Sequence, residues 1–271
     1  MRTALPRDLT TRAARLAVVV AAAVALAGCD LMMTDFSAQA TEQWSKTYTL
    51  AAGGRVEVEN VNGRIDVQPS DGDQVEVRAE KIGKGATDDA AKRSLARITI
   101  VEQTSEGAIR ISTKIEGSGG LNTGGTEVRF SLRVPAGVSV RAETTNGAIA
   151  VNDLKGDLSA ETVNGSIKGR ALAGEVSAAT INGAVDIDMA QVAPGGVSIE
   201  TTNGGVDLTL PRSAAVNVSA SLANGRIDAS DLPIEGAGED TRRRLNGTLN
   251  GGGPRVRIET TNGGITIRGK S

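Results

Sequence analysis

The chain has 271 residues, with 30 Lys or Arg, 32 Asp or Glu, 34 glycines, one cysteine and no histidine. A formal net charge of −2 gives no electrostatic reason to expect nucleic-acid binding, and the lack of histidine excludes imidazole bases and imidazole metal ligands. Because Trp, Tyr and Phe together number four, the core has to be built from Val, Ile, Leu and Ala, and this composition favours β-strands joined by glycine-containing turns.

The first 28 residues are predicted to be a signal peptide. Four arginines precede the apolar run LAVVVAAAVALAG, which is shorter than the roughly 20 residues that span a bilayer. The following LAGC at 26–29 resembles the lipobox of bacterial lipoproteins. That resemblance implies cleavage after Gly28, a diacylglycerol on the thiol of Cys29, and export to the periplasmic or cell-surface face of a membrane. An ordinary signal peptide followed by a coincidental cysteine is the alternative.

Residues 29–45 show no sustained periodicity and are predicted to form a tether between the lipidated cysteine and the folded domain. Phe36 and Trp44, both in this segment, are expected to cap the end of the domain, with contact to the membrane surface as the alternative. The domain itself is assigned to residues 46–271.

An internal repeat organises this domain. From position 146 the dipeptide Asn-Gly recurs at steps of 18, 18, 21 and 21 residues. Alternating segments such as VSVRAETTNG precede it, and shorter alternating runs such as AIAV follow it. Alternation of apolar and polar residues is typical of strands with one buried face. Each repeat is therefore predicted to be a strand, an Asn-Gly corner and a second strand.

Two architectures fit this pattern, and the sequence favours the first. In an all-β parallel β-solenoid, each repeat of 18–21 residues forms one coil and equivalent residues stack about 4.8 Å apart, which rewards repetition of one sequence. In stacked β-hairpins, Asn-Gly would form a type I′ turn between paired strands.

The residues of the corner are predicted to have structural roles. The parity of the alternation would point the Asn side chains inward, where their amides could hydrogen-bond along a column, and Gly would let the chain bend. The predicted corner residues are Asn62, Gly63, Asn146, Gly147, Asn164, Gly165, Asn182, Gly183, Asn203, Gly204, Asn224, Gly225, Asn262 and Gly263.

Two stretches depart from the repeat. Residues 64–137 predict further strands, which could extend the same sheets, and one helix over 87–98 with Thr87 as its N-cap. Residues 233–254 form an insertion before the last repeat.

The Val-Pro-Ala-Gly at 134–137, followed by units such as SVRAETTNGAIAVNDLKG, resembles the bacterial putative-adhesin family of unknown function. The resemblance covers about residues 50–270. It implies a β-helical fold in an exported or membrane-attached protein, and it supplies no catalytic residues.

Stacking would also align acidic side chains. Asp186, Asp207 and Asp228 would form an outward ladder, and the position three before each Asn, which is glutamate in most repeats, would form a second acidic column. A cation site, a partner-binding surface or carboxylate pairs that cleave polysaccharide would use such ladders. A solvated polar face, broken by Ala, Thr and Lys, is the simpler interpretation.

The sequence thus predicts a non-catalytic, lipid-anchored protein of the cell envelope, with a structural, adhesive or partner-binding role and no cofactor or metal. Its expected partners are the membrane, through the N-terminal lipid, and an envelope protein or glycan. A β-helix enzyme acting on polysaccharide and an accessory of envelope-stress signalling are the alternatives.

Overall fold

The computed structural model describes residues 37–50, 53–117, 125–236 and 242–271, so the signal peptide, Cys29 and Phe36 lie outside the described residues. Within these ranges the elements are, in chain order, β1 (Ala38–Thr49), β2 (Arg55–Asn62), β3 (Ile65–Ser70), β4 (Gln74–Gly85), α1 (Asp88–Ala96), β5 (Ile98–Ser105), β6 (Ala108–Ile115), β7 (Thr126–Pro135), β8 (Ser139–Asn146), β9 (Ile149–Asn152), β10 (Leu158–Asn164), β11 (Ile167–Leu172), β12 (Val176–Asn182), β13 (Val185–Met189), β14 (Val197–Asn203), β15 (Val206–Pro211), β16 (Val216–Asn224), β17 (Ile227–Asp228), β18 (Arg244–Leu249), β19 (Arg255–Asn262) and β20 (Ile265–Lys270).

These strands form two ten-stranded sheets. Sheet A has the order β1-β4-β7-β3-β9-β11-β13-β15-β20-β17, and sheet B has the order β18-β16-β19-β14-β12-β10-β8-β2-β6-β5. The repeat strands pair in parallel, whereas antiparallel pairs occur towards the ends of the sheets, as between β5 and β6. The predicted all-β, solenoid-like fold is confirmed.

Each repeat is one coil that passes from sheet B to sheet A through its Asn-Gly corner. The strand before the corner pairs with the equivalent strand of the neighbouring coil, as β8 pairs with β10, and β9 pairs with β11 in the other sheet. The two strands of a coil therefore belong to different sheets. The stacked-hairpin alternative is wrong for these coils.

The last coil of the sequence does not lie at the end of the stack. Strand β19 lies between β14 and β16, and β20 lies between β15 and β17. The coil formed by β19 and β20 is thus inserted between the coil of β14 and β15 and the coil of β16 and β17. The insertion before this last coil contains β18, which covers the outer edge of β16 in antiparallel pairing.

The core is built from stacked rows of aliphatic side chains. One such row in sheet B comprises Val56, Val140, Leu158, Val176, Val197, Val256 and Val218, each in register with the next. Phe130 is the one aromatic residue among the largest fully buried side chains of the described residues. Burial alternates along the repeat strands up to the corner, as in β10, which is expected for sheets with one face in the core.

At the N-terminal end of the stack, the predicted boundary between tether and domain needs correction. Residues 38–45 belong to β1, which pairs with β4 over twelve residues. The sequence did not predict this strand, because it is an edge strand exposed on both faces over much of its length and so shows little alternation of apolar and polar residues. Trp44 packs against the core, as expected of a cap. The predicted helix is α1, and the hydroxyl of its N-cap Thr87 accepts a hydrogen bond from the backbone N–H of Ala90.

Candidate functional site

The glycine of each corner is required by the close approach of adjacent coils. A Cβ built on Gly165 would lie 1.9 Å from the carbonyl oxygen of Gly147, and one on Gly183 would lie 1.9 Å from that of Gly165. Neither glycine has a φ in the left-handed region. The space between coils, rather than a tight turn, therefore excludes any side chain at these positions.

In five coils, the residue two positions before the corner Asn is a threonine that satisfies the backbone at the corner. The hydroxyl of Thr180 donates a hydrogen bond to the carbonyl oxygen of Gly165 at 3.0 Å, and Thr201 does the same to Gly183 at 3.1 Å. These threonines are buried at 5–6% exposure, so the pairing removes the cost of an unsatisfied buried hydroxyl. In the first coil, Asn60 takes this place and donates to the carbonyl oxygen of Val128 at 2.8 Å.

The corner asparagines form a ladder, but on the outside. The amide nitrogen of Asn182 donates to the side-chain oxygen of Asn164 at 2.9 Å, and Asn203 donates to Asn182 at 2.9 Å. The ladder runs through Asn62, Asn146, Asn164, Asn182, Asn203, Asn262 and Asn224. The prediction of inward side chains is wrong, because the alternation stops at the corner and two consecutive residues, such as Ile181 and Asn182, are exposed.

The predicted aspartate ladder on sheet A is only partly assembled. Asp186 lies beside Asp207, but Thr266 of the inserted coil separates Asp207 from Asp228. The expectation that all three aspartates stack in succession is therefore wrong, since it assumed that the coils stack in chain order.

Each of the two adjacent aspartates is paired with an arginine. Arg170 makes a bidentate ion pair with Asp186 at 2.7 and 2.5 Å, and this hydrogen bonding lowers the pKa of the Asp186 carboxyl. Arg268 lies 3.4 Å from Asp207. Within the part of the chain that the structure describes, no group of three or more candidate ligand side chains could hold a metal ion.

A concavity lies on the outer face of sheet B, beside the Asn-Gly corners. We call it the sheet-B groove; its volume is about 900 Å³. It runs along the stack, across the coils, between the glutamate column and the residues just before the corner asparagines. The charged residues that line it are Glu59, Glu143, Glu161, Glu200, Glu259 and Arg244.

An apolar patch interrupts the middle of this groove. Val163 and Ile181, on adjacent coils, are 37% and 48% exposed and are the exposed large hydrophobic residues of the described chain. Ala179 replaces a glutamate beside them and breaks the acidic column. Side chains of this kind in a groove rimmed by charges are typical of contact surfaces.

Arginines contact several glutamates of the column. Arg141 contacts both Glu143 and Glu161, and Arg257 lies 2.9 Å from Glu259. The glutamate column therefore lines the groove, whereas its partners Arg141 and Arg257 are not among the lining residues. The sequence signalled the glutamates, but it gave no separate signal for the patch, because single Val and Ile residues before Asn resemble the Thr of other repeats.

Comparison with known proteins agrees with this geometry. Residues 140–268 match the family Toastrack DUF4097. The resemblance to a bacterial putative-adhesin family is thereby confirmed, and the Toastrack match spans the coils from β8 to β20.

Two solved structures are similar to the chain. The crystal structure of a "putative cell adhesion protein" from Clostridium sporogenes has a TM-score of 0.50 at 14% identity, over 85% of this chain and 100% of that one. The structure of a "putative adhesin" from Bacteroides fragilis has a TM-score of 0.39 at 11% identity, over 83% and 97%. At such identities the first similarity shows the fold alone. No curated protein matches the chain.

Proposed function

We propose that this protein is a lipid-anchored, non-catalytic component of the bacterial cell envelope that binds a partner, protein or glycan, through the sheet-B groove. The observation that carries the proposal is the exposure of Val163 and Ile181 side by side within this groove. Exposed aliphatic side chains in a groove gain free energy when a partner removes them from water, by about 25 cal/mol per Å².

The stack suits this role because it is stiff. Adjacent coils in the middle of the stack are held together by two parallel strand pairings, a threonine hydroxyl and an asparagine amide. A surface built on such strands keeps its shape before binding, which lowers the entropic cost of association. The name of the Clostridium sporogenes structure, a putative cell adhesion protein, also supports an adhesive or structural role.

The lipid anchor is proposed from the signal peptide and from Cys29 in LAGC. In the described ranges of the chain, no helix has both the length and the apolarity to cross a membrane. Eight residues separate Cys29 from the start of β1 at Ala38. A chain of that length spans at most about 30 Å, so a lipidated Cys29 would hold the β1 end of the stack near the bilayer.

The rival proposal of a polysaccharide-cleaving enzyme has less support. Such enzymes use two carboxyl groups with different protonation states at a fixed separation. The Arg170 ion pair keeps Asp186 ionised, and Asp228 is two coils away from Asp207. We therefore infer that the protein binds its partner through the sheet-B groove and does not cleave polysaccharide at these aspartates.

Photo-cross-linking in intact cells tests the proposal. A photoreactive residue replaces the exposed Thr202 in the groove, and the products are compared with and without Ile181→Asp or the matched change Lys168→Asp on sheet A. We expect a cross-linked product that Ile181→Asp removes and Lys168→Asp preserves. Identical products from all three proteins would contradict the assignment of the groove.

A further inference from the structure

Strand β1 leaves one edge of sheet A open. Its twelve residues pair with β4 without a bulge, and in the described part of the chain no strand pairs with its other edge. The backbone N–H and C=O groups of alternate residues there face outward. Such an edge is a template on which another strand can add.

Natural edge strands are protected against this pairing by short length, proline, bulges or outward charges. The opposite edge of sheet A follows this rule, since β17 has only two residues. In β1 there is no proline, and its charged residues are Glu42 and Lys46. Both lie on the same face as Trp44, while the opposite face presents the exposed Gln43 and Ser45.

One register makes this strand complementary to itself. When two antiparallel copies of β1 are centred on Trp44, Glu42 of each copy lies opposite Lys46 of the other. Registers centred on Glu42 or Lys46 oppose like charges. Registers centred on Gln43 or Ser45 oppose each charge with an uncharged residue. Opposite-charge pairs across strands stabilise pairing, and like-charge pairs weaken it.

The two charges are accessible for this pairing. The side chains of Glu42 and Lys46 are 55% and 49% exposed. Glu42 already contacts Lys81 of β4 at 2.6 Å, and Lys46 contacts Glu102 of β5, so in the pair each charge would share its existing partner with the second copy. The other long edge strand at this end, β5, carries Glu102 as its one charged residue and has no such register.

We propose that β1 is a self-association edge, through which two copies of this chain pair antiparallel, centred on Trp44, to form one sheet continuous across both copies. The pairing places Gln43 of one copy opposite Ser45 of the other, on the outer face of the sheet. Anchoring of both copies in one membrane would raise their effective concentration.

Cysteine substitution tests the register in the full-length protein in its membrane. Gln43→Cys and Ser45→Cys are introduced into separately tagged copies, which are expressed alone or together and oxidised mildly. Directly opposed residues lie within disulfide range. We expect a disulfide-linked dimer when both variants are present and none from either alone. Unsubstituted protein, which retains Cys29, is the control.

A charge test on the detergent-solubilised mature protein follows self-association by mass. The double variant Gln43→Lys/Ser45→Lys opposes like charges at both outer pairs, and we expect about tenfold weaker dimerisation or more. The matched variant Gln43→Lys/Ser45→Glu opposes unlike charges and is expected to dimerise at least as well as the unsubstituted protein. Both positions are exposed, so both variants keep the fold.

Several results would overturn the proposal. These are a monomeric mass at all concentrations, a disulfide formed by Gln43→Cys alone, equal dimerisation of the two charge variants, or cross-linking of β1 only to a different polypeptide. The groove experiment above probes sheet B, and its control residue Lys168 lies on β11, separated from β1 by four strands of sheet A, so it is independent of β1. Failure of self-association therefore leaves the proposed partner binding intact, and the reverse also holds.

Discussion

The hydroxyl of Thr201 donates a hydrogen bond, 3.1 Å long, to the carbonyl oxygen of Gly183 in the adjacent coil. Thr201 is buried, whereas its neighbour Thr202 is exposed on the outer face. Replacement of Thr201 by Val keeps the shape and leaves that carbonyl without the hydroxyl donor. We expect Thr201→Val to lower the free energy of unfolding by about 1–2 kcal/mol.

The matched control for this prediction is Thr202→Val, which makes the same chemical change one residue away. At an exposed site it should alter stability by less than about 0.5 kcal/mol. Urea unfolding followed by circular dichroism measures both. Equal effects of the two substitutions would contradict the structural role given to the buried threonine.

The corner glycines should tolerate no side chain. Gly165→Ala places a Cβ 1.9 Å from the carbonyl oxygen of Gly147, so two coils must separate locally. We expect a loss of about 3 kcal/mol or more in the free energy of unfolding. Gly137→Ala is the control, because its Cβ meets no atom within 4 Å, and thermal unfolding should show little change.

Much of the fold could be predicted from the sequence because stacking rewards repetition. The period of Asn-Gly indicated the coils, and the alternation indicated which residues are buried. The position of the last coil could not be predicted, since Val256 is in register with both Val197 and Val218 and equivalent positions of all coils carry similar residues. Repeated sequence specifies how coils stack, but it does not specify their order.

The candidate site was harder to predict than the fold. The glutamate column was visible, but the exposed pair of Val163 and Ile181 depends on the end of the alternation at the corner. The inward orientation expected for the asparagines failed for the same reason. The strand β1 was missed because its exposed faces leave little hydrophobic pattern.

The ion pair between Arg170 and Asp186 makes stability dependent on pH. The hydrogen bonds from Arg170 lower the pKa of Asp186 in the folded state. The ion pair therefore contributes its full stability at pH values above the pKa that Asp186 has in the unfolded chain. This contribution is lost as the pH falls through the lower pKa that Asp186 has in the folded state. In Arg170→Gln we expect the pKa of Asp186 to rise towards its ordinary value.

Carboxyl chemical shifts in a pH titration measure this change. The difference in stability between the unsubstituted protein and Arg170→Gln should shrink below about pH 4, as Asp186 becomes protonated. Arg133→Gln, elsewhere on the exposed face of sheet A, should leave the pKa of Asp186 unchanged. An unaltered pKa in Arg170→Gln would contradict the assigned cause.

The proposed anchor makes a simple prediction. Cells that express the full-length protein and receive labelled fatty acid should incorporate the label into it, and Cys29→Ala should abolish incorporation and release the protein from the membrane fraction. Ser37→Ala, outside the signal and just before β1, serves as the control and should remain labelled. Label in the Cys29→Ala protein would exclude lipidation at this residue.

The central structural claim is that the coils stack through a common corner, with the last coil between two earlier ones. Cysteine pairs on the outer face of sheet B test it directly, since neighbouring strands lie about 4.8 Å apart and alternate strands lie beyond disulfide range. Ser198 is in register with Arg257, which in turn is in register with Ser219. The account predicts an intramolecular disulfide in Ser198→Cys/Arg257→Cys and none in Ser198→Cys/Ser219→Cys. A disulfide in the second variant but not in the first would contradict it.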